Sequence, residues 1–278
     1  MAKPITIHAA RRLPRFMQHI RHCTPMKLSV IIITKNEADN IQACLDSVSF
    51  ADQRIIVDSG STDGTVAIAR AAGATVIETD WPGFGPQKNR ALDAASGEWV
   101  LSLDADERVT PELAAEIQRV VAAPDAADAY EISRRSWYCG RFIRHAGWTP
   151  DYVLRLFRRG TARFSEHIVH ERVLADGAPQ KLGALLLHYS FRDFSQVLDK
   201  VDHYSTLSAR QAHASGRRAT VFTALLHGWW AFMRTYFLRL GMLDGQHGLA
   251  LAISNAEGSY YRYVKIWHLE QQQKAKDK

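Results

Sequence analysis

The sequence predicts an α/β protein: a mostly parallel sheet flanked by helices, with a helical extension at the carboxyl end. Three observations carry that expectation. Short apolar runs alternate with amphipathic stretches from Leu28 to Asp106. The run Trp99-Val-Leu-Ser-Leu103 ends abruptly in two carboxylates, Asp104 and Asp106. From residue 194 to about 270 the chain reads as helices.

Leu28–Thr34 (LSVIIIT) is a continuous β-branched run, as a parallel strand buried on both faces requires. Ile41, Cys44, Leu45 and Val48 recur at helical spacing, with Cys44 as a small core residue. Arg54–Val57 forms a second strand that runs into Asp58-Ser-Gly-Ser-Thr-Asp-Gly64. Thr65–Ala72 is a helix stopped by Gly73, and Ala74–Glu78 is a third strand. After the Trp81–Pro86 loop, the short helix Gln87–Ala95 leads to the fourth strand. A dinucleotide-binding GxGxxG and a Walker A loop are both absent.

Residues two apart on a strand project the same way, so Asp104 and Asp106 leave the carboxyl end together. Ligands of open α/β sheets bind at that edge. Two hard oxygen ligands there suit Mg²⁺ or Mn²⁺ shared with substrate phosphates. The plainer alternative is a polar loop whose acids cap the next helix.

Charge divides the chain. Residues 1–27 hold six Lys/Arg and no acid, which equals the net charge of +6. Residues 28–133 hold 7 basic and 18 acidic residues, and residues 134–278 hold 22 and 11. An acidic half able to hold a cation precedes a basic half able to meet phosphates or an anionic surface. The basic leader 1–27 has no apolar core of signal-peptide length and is expected to be disordered, upstream of a start at Met26; a transit-like or membrane-surface helix is the alternative for this acid-free, Arg-rich stretch. Cys23, Cys44 and Cys139 show no metal or disulfide spacing, which fits a reducing compartment. Basic residues are not gathered with aromatics into a nucleic-acid module, so no nucleic-acid partner is expected.

Three ordered motifs, Ser29-Val-Ile-Ile-Ile-Thr-Lys-Asn-Glu37, Val57-Asp-Ser-Gly-Ser-Thr-Asp-Gly-Thr65 and Leu103-Asp-Ala-Asp106, resemble the family 2 glycosyltransferases of GT-A fold. The resemblance implies a GT-A catalytic domain over 28–192, with nucleotide-sugar binding in 28–110 and an acceptor part in 130–192. It implies a nucleoside diphosphate sugar as donor, UDP-glucose foremost. Thr34, Asn36, Glu37 and Asp58 would hold the nucleoside, Lys88 and Asn89 would lie near the donor, and Asp104 and Asp106 (the DxD motif) would bind the diphosphate through Mg²⁺ or Mn²⁺.

Past a helix begun by Thr110-Pro111, strands are expected at Tyr130–Arg135, Val153–Arg158, Arg163–Phe164, Ile168–Val173 and Leu185–Ser190. Arg144, Arg155 and Arg158 are candidate diphosphate partners, since planar guanidinium matches phosphate oxygens; a surface ion pair is the alternative for each. The segments Trp148-x-Pro-Asp151, Leu154–Arg158, Val169-His-Glu171, His188-Tyr-Ser190 and Gly241-Met-Leu-Asp-Gly245 resemble the subfamily of lipopolysaccharide core β-1,4-glucosyltransferases. That implies transfer to a lipid-linked saccharide. An inverting transfer needs a carboxylate to take the acceptor's proton. Glu171, an acid in an apolar run, is the first candidate and Asp151 the second, the alternative for Glu171 being a structural acid paired with Arg172 or Arg155. The resemblance makes His188 a third metal ligand, the alternative being a satisfied core histidine.

In the extension 193–278, Ala219–Met233 carries no formal charge and is flanked by Arg217, Arg218 and Arg234. It falls short of the ~20 residues a spanning helix needs. With Trp229, Trp230 and Tyr236 it instead suits a helix lying in a membrane interface, on the cytoplasmic face of the inner membrane, or one packed on the protein or on a second subunit. Two other functions fit the motifs: sugar transfer to a polyprenyl phosphate, and a non-catalytic sugar-nucleotide binder.

Overall fold

The computed structural model describes residues 27–165, 173–175 and 177–276; the basic leader therefore lies outside the described residues. Strands β1 (Leu28–Thr34), β2 (Gln53–Asp58), β3 (Thr75–Glu78) and β4 (Trp99–Asp104) alternate with helices α1 (Ala38–Ser47), α2 (Thr65–Ala71) and α3 (Phe84–Asp93). They pair in parallel in the order β3-β2-β1-β4. The central strands are apolar on both faces because both faces are covered. Val30, Ile32, Leu101 and Leu103 pack on the α1 side, and Ile31, Ile55 and Val100 pack against Ala91 and Leu92 of α3.

The backbones of β1 and β4 approach closely where β4 begins. A Cβ on Gly97 would lie 2.7 Å from the Ser29 nitrogen, and the Gly97 N–H donates to Ser29 Oγ at 2.8 Å. No other residue type fits there without moving backbone.

Beyond β5 (Glu107–Val109) and α4 (Pro111–Ala122), the sheet becomes mixed. β6 (Ala129–Tyr138) and β8 (Asp151–Arg158) continue it antiparallel beside β4, with β7 (Arg141–Phe142) on β6. A small ladder of β9 (Ala162–Phe164) and β10 (Val173–Ala175) stands apart. β11 (Gln180–Phe191) runs parallel to β6 and antiparallel to β5, which brings His188 opposite Glu107. The purely parallel order thus holds only for the first half. The expected strand 168–173 lies outside the described residues up to Glu171 and Arg172; Val173 opens β10.

Helices α5 (Phe194–Ala214), α6 (Val221–Met233) and α7 (Gly245–Lys276) follow, with a π-helical turn (Arg234–Leu238) and a 3-10 turn (Gly241–Asp244) between α6 and α7. On α6 the usual arrangement is reversed. Its small residues Ala224, Gly228 and Ala231 are buried, while Phe222, Leu225, Leu226 and Trp229 are exposed, Phe222 by 68%. The small face lets α7 approach, since a Cβ on Gly228 would meet Tyr260 at 3.2 Å. No helix among the described residues is long and apolar enough to cross a membrane.

Asp244 fastens this extension to the sheet. Its fully buried carboxylate accepts the backbone N–H groups of Arg144 and His145, at 3.2 and 2.8 Å to its nearer oxygens.

Candidate active site

Thr34, Asp58 and Asp104 end three adjacent strands, with Ile33 level with Asp104 and Thr34 level with Asp58. β1 leads by its helix to β2 on one side and has β4 on the other, so a crevice opens at the carboxyl edge where the connections diverge. A cavity of about 520 Å³ occupies it, lined by Thr34, Glu37, Asp104, Asp106, Arg134 and His188 among others.

Asp104 is held by two cations. Lys88, buried on α3, places Nζ 3.0 Å from Oδ1, and Arg155 places Nη2 2.6 Å from Oδ2. Desolvation works against the charge on Asp104, but Arg155 and Lys88 outweigh it and hold the carboxyl well below the usual carboxylate range. Arg155 also meets Glu107 at 2.6 Å, and Glu107 accepts the Asp104 N–H through its other oxygen. Burial disfavours charge on Arg155, yet Asp104 and Glu107 together push its pKa further upward. Arg134 stands 3.6 Å from Glu107 and completes a chain of alternating charges.

Asp106 faces the other way, with Oδ2 3.3 Å from His188 Nε2. His188 Nδ1 lies 3.1 Å from Ser136 Oγ and 2.9 Å from Ser190 Oγ. If Nδ1 donates to a hydroxyl, Nε2 keeps the lone pair a metal needs. Among the described residues no three acidic, histidine or cysteine side chains gather closely enough to hold an ion unaided. A carboxylate–imidazole pair with Asp104 on the same cavity still fits Mg²⁺ or Mn²⁺, which commonly takes remaining ligands from substrate phosphate and water.

The loops around β1 and β2 are fixed by their own side chains. Asp58 is fully buried and accepts from Thr34 Oγ1 at 2.9 Å and from the Gly60 and Ser61 N–H groups at 3.0 and 2.8 Å. Asn36 sits at φ +56°, accepts from the Thr62 N–H at 2.8 Å and donates its own N–H to Ser61 Oγ. Thr34 and Glu37 therefore face the cavity, while Asp58 and Asn36 organise the wall behind it. Burial raises the Glu37 carboxyl above its ordinary value, against a hydrogen bond from Asn40.

Several expected residues lie elsewhere. Asn89 uses both ends of its amide on the Phe164 backbone, at 2.9 and 3.0 Å, and so anchors β9, whose Phe164 lines a cavity with Lys88 and Asp104. Arg158 is opposite Trp99, at the amino end of β4, because β8 runs antiparallel; it pairs with Glu98 and Asp128 over the Trp99 ring. It is no diphosphate partner. Arg144 is exposed in the β7–β8 loop. Asp151 is the counter-ion of Arg134, whose Nε and Nη2 reach its Oδ2 at 2.9 and 2.8 Å. Glu171 lies outside the described residues.

Two participants were not anticipated: Glu107 and Arg134. The usable signal was the alternation Ala105, Glu107, Val109, which puts an acid on the inward face of a strand, where it needs a cationic partner.

Asp104 and Asp106 line the crevice at the sheet's carboxyl edge, and Lys88 and Arg155 hold Asp104 from a neighbouring cavity that Asp104 and Arg134 also line; the arrangement suits a sugar-transferring enzyme. The family model "Glycosyl transferase family 2" matches residues 29–173, and the chain belongs to that family. An uncharacterized glycosyltransferase of Rickettsia typhi is 31% identical over 255 residues, covering 87% of each chain. The lipopolysaccharide core biosynthesis glycosyltransferase LpsC of Rhizobium meliloti is 31% identical over 259 residues, covering 87% of this chain and 92% of LpsC. A solved structure of glucosyl-3-phosphoglycerate synthase from Mycobacterium tuberculosis, with Mn²⁺, UDP-glucose and phosphoglyceric acid, overlays on 40% of this chain and 44% of that one, at 28% identity and TM-score 0.35.

Proposed function

We propose that this chain moves a hexose, glucose foremost, from UDP-glucose or a related nucleoside diphosphate sugar to a lipid-linked saccharide such as a lipopolysaccharide inner core, with inversion. The observation that carries the reading is the pairing of two charge arrangements on adjoining cavities that share Asp104 and Arg134. Lys88, Arg155 and Arg134 offer cations at the diphosphate's level, and Asp106 with His188 offers ligands for Mg²⁺ or Mn²⁺. The bound ion would neutralise charge on the leaving nucleotide. Lys88 and Arg155 would keep Asp104 ionised and fixed, Thr34 and Glu37 would bound the nucleoside end, and Glu171 would take the acceptor hydroxyl's proton, with Asp151 second. The near-complete overlap with LpsC supports the saccharide acceptor.

The exposed apolar face of α6 supports attachment to a membrane surface, and the proposed surface is the cytoplasmic face of the inner membrane. Phe222, Leu225, Leu226 and Trp229 would enter the interface, with Arg217 and Arg218 at headgroup level. The test is release of nucleotide from a panel of nucleoside diphosphate sugars, with Mn²⁺ and with a chelator, and with and without a delipidated core saccharide. Metal-dependent release that the saccharide accelerates is expected. Release accelerated only by a polyprenyl phosphate would move the acceptor class, and binding without release would make the chain a sensor.

A further inference from the structure

A second cavity of about 500 Å³ lies among α5, α6 and α7 and shares Lys200 and Tyr204 with the catalytic cavity. It meets a third, of about 610 Å³, at Ser208 and Arg262. Lys200, Tyr204, Ser208, Gln211 and Ser215 recur every three or four residues, so one face of α5 floors a groove leading away from Asp106.

The lining of that groove is chemically one-sided. It carries the cations Lys200, Arg234, Arg262 and Arg217, and no Asp or Glu is among the described residues that line either cavity. Arg262 Nε is buried with no hydrogen-bond partner. A buried guanidinium N–H without an acceptor is costly, and an anion from outside would satisfy it. Between the cations stand rings and small polar groups. His227 stacks flat on Tyr263 at 3.8 Å, Trp230 and Tyr204 form other walls, and Ser254, Asn255 and Ser259, which bond to Ala250, Thr235 and His227, keep further hydrogen-bonding capacity on their side chains. Ring faces beside hydrogen-bonding groups suit a sugar, and cations without acids suit its charged substituents. Trp230 joins this lining to the exposed side of α6, so the groove opens beside the face assigned above to the membrane.

We propose that this groove binds an anionic saccharide, one bearing phosphate or carboxylate groups, and holds the acceptor's inner sugars while its terminal hydroxyl reaches the catalytic cavity past Lys200 and Tyr204. The proposal deepens the transferase reading and rests on it for the word acceptor; the groove's ligand chemistry does not.

Gly258 supplies a clean test. It lines the groove, and a Cβ there meets nothing within 4 Å, so Gly258→Leu starts its side chain in open space at the groove and improves helix propensity. Calorimetry on the full chain would compare mannopentaose phosphate, neutral mannopentaose, inorganic phosphate and dihexanoyl phosphatidylglycerol. The phosphorylated saccharide should bind at least about tenfold more tightly than the other three, the scale of one charge-assisted hydrogen bond. Gly258→Leu and Arg262→Gln should each lose about tenfold for it, while the thermal shift given by UDP-glucose with Mn²⁺ stays at the parent's value. Equal affinity for neutral and phosphorylated sugar, no binding of either, or variants that bind like the parent overturns the proposal. Preference for phosphatidylglycerol overturns it in favour of a lipid headgroup site. If the parent shows no donor shift yet the saccharide results hold, the groove stands and UDP-glucose falls as the donor.

Discussion

His188 Nε2 stands 3.3 Å from Asp106 Oδ2, and the other ring nitrogen is flanked by Ser136 and Ser190. Asp104 is two residues from Asp106 and is engaged by Lys88 and Arg155 instead. The two acids of one motif therefore meet different partners.

Asp106→Ala should abolish transfer while moving Tm by no more than a few degrees, because a partly exposed acid at a strand end is removed. His188→Ala should behave alike, and both should lose the extra thermal stabilisation that Mn²⁺ adds to the nucleotide complex. Near-normal turnover by purified Asp106→Ala would sink the metal assignment.

Arg155→Met should lower stability by about 3–5 kcal/mol, because it strands Asp104 and the fully buried Glu107 without their shared cation. Urea unfolding measures it. A loss under about 1 kcal/mol would mean that Lys88 and Arg134 already suffice.

Glu37→Gln should raise Tm at neutral pH. Burial raises the folded-state carboxyl, so the folded chain binds that proton more tightly than the unfolded chain. Ionisation then costs stability, and this contribution falls as pH rises from the ordinary glutamate value of about 4.3 through the raised one. The gain from the substitution should shrink to nothing as pH drops toward 4. A gap independent of pH would assign the effect to packing.

Gly97→Ala should cost about 1–3 kcal/mol, since its methyl would lie 2.7 Å from the Ser29 nitrogen and must part β1 from β4. Chemical denaturation would detect it. Unchanged stability would mean that the strands separate freely.

On α6, Phe222→Ser with Trp229→Ser should release the protein from vesicles rich in anionic lipid and leave the fold intact, since both side chains are exposed. Trp230 is spared in this test because it also lines the groove. Sedimentation with vesicles gives the answer: a parent that ignores them, or a double variant that aggregates, would assign that face to a protein partner.

Local sequence revealed the first half well because strands covered on both faces leave uninterrupted β-branched runs, and β1 and β4 end in the polar residues that form the crevice. The second half was harder. Arg158 resembles Arg155 in sequence, but strand sense is not a local property, and the antiparallel run of β8 carries it to the far end of β4. The bond of Asn89 to β9 was not legible, because an amide that meets a strand 75 residues away reads like any exposed polar group. Glu107 was overlooked because its burial depends on Arg155, 48 residues on.

The Asp244 anchor bears on how this protein can be recombined with its relatives. Its carboxylate grips the backbone at Arg144 and His145, a hundred residues earlier, and a Cβ on Gly248 would fall 1.8 Å from the Gly241 oxygen beside it. A chimera joined after β11 would pair one parent's loop with another parent's clasp. Segments 141–150 and 241–248 should therefore be inherited as a set, and an acceptor preference transplanted with only one of them should arrive on a chain that folds poorly.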